Sequence, residues 1–148
     1  MNPFDLRSAL LARHAQHVVL IHFPIALFLV AVAFDILAVW ANKDAWREFA
    51  YLNLTLAALA VIPALLTGVA AWQWQLEGQR LKGILLYHLL TASVAALCIW
   101  ASWWMRFRLR RAAKSSSRGR LALAVEVVGA FFVMLAAHLG GFLSGVNS

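Results

Sequence analysis

Four stretches of the chain, residues 18–40, 49–74, 83–107 and 121–146, are apolar over lengths that match a bilayer, whose hydrocarbon core takes about 20 residues of helix. The first is interrupted by His22, Pro24 and Asp35. The pattern predicts four transmembrane helices joined by segments 42–48, 77–82 and 108–120, the last basic and serine-rich and read as a solvated linker. The first stretch exceeds the apolar region of about 7–15 residues found in a signal peptide, and no clear cleavage site follows it, so it reads as a retained helix. Before it, Leu6, Leu10 and Leu11 stand against Arg7, Arg13, His14 and Gln16. That mixed face suits a short helix on the membrane surface, which Asp5 could cap; a frayed tail is the alternative. The expected fold class is all-α: a transmembrane antiparallel four-helix bundle over residues 18–148, preceded by an N-terminal interfacial segment over residues 1–17.

Composition points the same way: 64% of residues are hydrophobic and 13% charged, against about a quarter charged in soluble domains. In a soluble protein the net charge of +7 would suggest nucleic acid. Here the cations flank apolar blocks and act as topology signals, so nucleic acid is not an expected partner. Four crossings put both ends of the chain on one side, with Arg7, Arg13, Arg80 and Lys82. The other side holds Lys43, Arg47, Arg106, Arg108, Arg110, Arg111, Lys114, Arg118 and Arg120. A Lys/Arg excess marks the cytoplasmic side, so both termini are expected in the periplasm of a bacterial inner membrane. Trp40, Trp46, Trp103 and Trp104 fall near the basic interface and Trp72 and Trp74 near the other, as aromatic belts require. The single cysteine, Cys98, rules out an internal disulfide and reads as a small buried hydrophobe. No Cys-x-x-Cys-His occurs, which excludes a covalent c-type haem.

The candidate chemistry lies in five histidines: His14, His17, His22, His88 and His138. Folded as above, all five fall in the outer half of the membrane or at its surface, and three different helices present one at similar depth. A polar ring in a lipid-facing helix is costly and turns inward or meets a partner. One such histidine reads as a satisfied structural residue; a set at one level of a bundle reads as a ligand set for haem iron or another metal. Copper and zinc sites usually recruit cysteine, carboxylate or closely spaced histidines, and no acidic residue is expected nearby. A noncovalent b-type haem held by two histidines therefore fits best. Diagonal helices give the imidazoles more room than neighbours packed about 8–10 Å apart, which makes His22 with His88 a natural pair. His17 and His138 remain for a second iron, a hydrogen bond or a propionate. Gly68 and Ala64 share a face of the second helix where a flat ring could approach, and Gly140, Gly141 and Gly145 follow His138; plain helix packing is the alternative. Asp35 and Glu126, toward the basic end, are expected to pair with a nearby Arg or Lys, proton carriage being the other reading. Pro24 lies near a helix start, where proline is tolerated, and Pro63 is expected to kink its helix.

Residues 17–27, His-Val-Val-Leu-Ile-His-Phe-Pro-Ile-Ala-Leu, resemble the signature of the DUF2231 family of bacterial membrane proteins. The resemblance continues through Phe34-Asp35, the run 63–68 from Pro63 to Gly68, His88, His138-Leu139-Gly140-Gly141 and Gly145-Val146, covering most of the chain from His17 onward. Val18 stands where the family usually has proline. The resemblance implies a four-helix membrane protein. Some relatives are joined to, or encoded with, Rieske, cytochrome c or sugar dehydrogenase modules, which implies electron transfer. The function expected is thus a membrane-embedded b-type cytochrome with one haem b or two, either an electron-transfer protein or an oxidoreductase subunit of the respiratory chain. It would carry electrons between a periplasmic redox partner, such as a cytochrome, and a quinone or a partner subunit. His22, His88 and His138 are the favoured ligands, with His17 next and Gly68 beside the ring. Its other partners would be the lipid bilayer and further redox subunits, a homodimer being one open assembly state. Two rivals stand beside it: a cofactor-free structural subunit of a respiratory complex, and a carrier for a metal ion or small solute. The lack of a clear internal repeat counts against the carrier.

Overall fold

In a computed structural model the chain forms four long helices: α1, Arg13–Ala41; α2, Asp44–Trp74; α3, Gly83–Arg111; and α4, Ser116–Leu143. The structure describes residues 13–74, 77, 78, 80–111 and 116–144, with side chains from residue 16 in α1 and from residue 119 in α4. All four helices are long and apolar enough to cross a membrane. At a rise of about 1.5 Å per residue, helices of 28 to 31 residues outrun a hydrocarbon core of about 30 Å. Their ends therefore reach the head-group layers, which is why they extend past most of the apolar blocks.

Two boundaries differ from those expected of the sequence. First, α1 begins at Arg13 and takes in His14 and His17, so residues 13–17 are helical and continuous with the first apolar stretch. Val18 is compatible with helix there, where a proline would withhold a backbone donor and disfavour helix at His17. Residues 1–12, and the interfacial helix expected of them, lie outside the described residues. Second, the basic linker is mostly helix: α3 runs on to Arg111 and α4 starts at Ser116. The guanidinium groups of three of its arginines lie over aromatic rings. Arg108 sits 5.3 Å from the Trp104 ring centre, Arg110 4.4 Å from Tyr51 and Arg111 4.2 Å from Phe107.

The helices are arranged as two closely packed hairpins, α1–α2 and α3–α4. Contacts between the hairpins are sparser, through α2 with α3 and α1 with α4, which leaves α1 and α3 as one diagonal pair. The shared core is built of Phe28, Leu54, Val61, Ile99 and Val133 among many alanines. Gly129 lets the helices close around Phe28: a Cβ there would stand 2.8 Å from Cys98 Cβ and 2.9 Å from Phe28 Cζ. Large apolar side chains cover the outside, with Leu66 67% exposed and Leu97 63%. Contiguous apolar surface on this scale does not stay monomeric in water; lipid covers it in a multi-pass membrane protein.

Among the described residues polar ties join the hairpins at three places, one of them the exposed ion pair of Arg110 on α3 with Glu48 on α2. Trp100 donates its indole N–H to the Ala58 carbonyl at 3.0 Å. Nearer the basic end, Arg106 donates from Nε to Glu126 Oε1 at 2.8 Å and from Nη2 to Glu126 Oε2 at 3.2 Å. Its Nη2 also lies 2.8 Å from Asp35 Oδ2 on α1. Asp35 and Glu126 thus pair with an arginine, as expected, but buried inside the bundle instead of at its rim.

Candidate functional site: a histidine-lined cavity

α1 and α3 both begin at the end of the bundle opposite Arg106, and each carries a histidine in its second turn. A regular helix turns about 100° per residue, so His17 shares a face with Ile21, Pro24 and Ile25. That face lines a cavity of about 110 Å³ to which all four helices contribute. His88 lines it from α3, and Ala64, Ala95, Ala96 and Ala136 form much of the wall. The space exists because small side chains stand where the hairpins meet.

Each histidine is held in the same way. His17 Nδ1 is 3.1 Å from Thr67 Oγ1. The Thr67 hydroxyl has one hydrogen and two carbonyls of its own helix in reach, Pro63 at 2.8 Å and Ala64 at 3.1 Å; when it donates to either, the His17 ring donates to Thr67. His88 Nδ1 is 3.0 Å from the Ala136 carbonyl, which can only accept. A neutral ring so bonded carries its proton on Nδ1 and its lone pair on Nε2. A metal-ligating histidine usually has this arrangement, with the other ring nitrogen donating to a neighbouring acceptor. A glycine seats each ring. A Cβ at Gly68 would stand 3.0 Å from His17 Cε1, and one at Gly140 would stand 3.2 Å from His88 Cε1. The two hairpins run in the same direction, so the device recurs: a histidine early in the first helix, and a glycine and an acceptor late in the second.

The other expected ligands lie elsewhere. His22 is exposed and donates to the carbonyl of Val18, in its own helix, at 2.6 Å. Five residues separate it from His17, which turns the two rings about 140° apart; both cannot face the cavity. The pair across the diagonal is thus His17 with His88, not His22 with His88. His138 is also exposed, packed edge-on against Phe142 with ring centres 5.0 Å apart. The His14 side chain lies outside the described residues. Gly68 acts through the seating of His17 and is not among the residues that line the cavity. Sequence reasoning overlooked Thr67 and Gly140 as the acceptor and seat that set the two rings. Both stand in the motifs quoted above, but their roles depend on which helix faces which. Among the described residues no three His, Cys, Asp or Glu side chains gather in a way that could hold a metal ion; the donor set at the cavity is two imidazoles.

No curated protein and no solved structure matches the chain. A family model described as a predicted membrane protein, DUF2231, matches residues 13–146, a span that contains all four helices and both cavity histidines, and the chain belongs to that family.

Proposed function

We propose that the chain is a membrane-embedded electron carrier that binds a noncovalent b-type haem at the outer cavity, with His17 and His88 as the iron ligands. The observation that carries this reading is the pair of imidazoles on diagonal helices, lining one cavity, each with its Nδ1 within hydrogen-bond distance of an oxygen on the neighbouring helix. The donor set suits bis-imidazole ligation. The closed volume of about 110 Å³ is small beside ligand pockets of about 300–1,000 Å³, so haem requires the hairpins to part at this end, where small residues and sparse contacts separate them. When bound, haem supplies reversible one-electron chemistry. The protein's share is to orient both rings through Thr67 and Ala136 and to surround the site with apolar helix.

The lysine and arginine excess at the opposite end supports a bacterial inner-membrane location with both termini periplasmic. In that orientation the cavity lies on the periplasmic side, and the reading pairs it with a periplasmic cytochrome or another redox subunit and with a quinone as a second exchange partner. Purified wild-type protein is expected to show a Soret band that shifts on reduction. His17→Ala and His88→Ala are each expected to abolish it or convert it to a five-coordinate form, while His22→Ala and His138→Ala retain it. Absence of the band, together with failure to take up added haem, would refute the reading.

The small closed cavity favours a second reading: a cofactor-free structural subunit of a respiratory complex. It predicts co-purification with a large assembly that survives the combined His17→Ala and His88→Ala substitution.

A further inference from the structure

The haem reading makes no use of the second polar cluster, at the other end of the bundle. Asp35 on α1 and Glu126 on α4 are 3% and 0% exposed, and both meet Arg106 on α3. On α2, Arg47 is exposed and held 3.3 Å from Asp44 in its own helix. Two buried carboxylates therefore share one buried guanidinium. With both ionised the cluster carries a net negative charge inside a bilayer, a state that is strongly disfavoured.

The two carboxylates are not equivalent. Both oxygens of Glu126 accept aligned bonds from Arg106, at 2.8 and 3.2 Å. Asp35 Oδ2 stands 2.8 Å from Arg106 Nη2 but has no hydrogen-bond partner among the described residues. A second buried polar group stands one turn from Arg106. Ser102, four residues before Arg106 on the same buried face, is 0% exposed, and its hydroxyl likewise has no hydrogen-bond partner among the described residues. A buried polar atom without a hydrogen bond is costly, and a proton on Asp35 removes the surplus negative charge and gives its carboxyl a donor.

We infer that the Asp35–Arg106–Glu126 cluster is a proton-binding site, with one exchangeable proton on Asp35 and Glu126 kept ionised by Arg106. Release of the proton leaves Asp35 as a carboxylate facing Arg106, and uptake restores a neutral cluster. The inference does not depend on haem.

Infrared spectroscopy of the full chain in lipid nanodiscs tests it. The expected result at neutral pH is one protonated-carboxyl band that shifts in deuterium oxide, shifts with carboxyl-¹³C aspartate but not with labelled glutamate, and vanishes in Asp35→Asn. The labelling arm uses wild-type protein, so it decides the matter even if the variant fails to fold. No protonated-carboxyl band at neutral pH, a band that follows the glutamate label, or a band that persists in Asp35→Asn would each overturn the assignment.

Discussion

At the histidine end the two hairpins meet across alanines and a cavity of about 110 Å³, whereas at the basic end Arg106 ties α1 to α4 through Asp35 and Glu126. Both ends use buried polar groups, but they satisfy them differently. The bonds of His17 to Thr67 and of His88 to Ala136 each lie within one hairpin, so neither of these two bonds crosses between the hairpins. Arg106 instead draws on both hairpins, and separation at that end would leave a charge unpaired in lipid. The hairpins are thus tied by charge at one end and meet across small apolar side chains at the other.

The largest effect should come from breaking the charged tie. Arg106→Ala leaves the carboxyl groups of Asp35 and Glu126 buried without their shared cation, and loss of one partner from a buried ion pair costs about 3–5 kcal/mol. Reversible unfolding in mixed micelles should register that loss; a variant as stable as wild type would show that the cluster does not join the hairpins. Removal of one histidine acceptor comes next. Thr67→Val keeps the shape of the side chain and deletes the oxygen beside His17 Nδ1, and outer-shell partners of this kind are worth about 10–100-fold in ligand affinity. Haem titration of the variant should show a drop of that order with little change in its melting temperature.

A smaller change should come from filling the cavity. Ala95→Val adds bulk at a buried wall position, and cavity-filling substitutions commonly stabilise by about 0.5–2 kcal/mol. The expected outcome is a higher melting temperature with reduced haem uptake, which would separate the packing role of the space from its role as a binding site. His22→Ala should matter least. The ring is exposed and bonded within its own helix, so a stability change within about 0.5 kcal/mol and an unaltered spectrum are expected. A lost Soret band in that variant alone would reinstate His22 as a ligand in place of His17.

Much of the architecture was legible in the linear chain because lipid imposes its demands one segment at a time. A helix satisfies its own backbone, and about 20 apolar residues suffice to declare it. Four crossings then place His17, His22, His88 and His138 at one end with no knowledge of packing. Even the diagonal relation of α1 and α3 follows from short connections. The pairing of Asp35 and Glu126 with a cation was also foreseeable, since an unpaired charge in lipid is costly.

The helix face on which each ring lies was not legible. His17 and His22 are both near the start of α1, and rotation about the helix axis alone decides that one lines the cavity and the other meets lipid. That rotation is set by where Gly68 and Thr67 leave room and an acceptor on α2, and by where Gly140 and Ala136 do so on α4. Depth in the membrane is a property of each segment and is written in its composition. Facing is a property of pairs of helices, settled only when side chains some fifty positions apart compete for the same space.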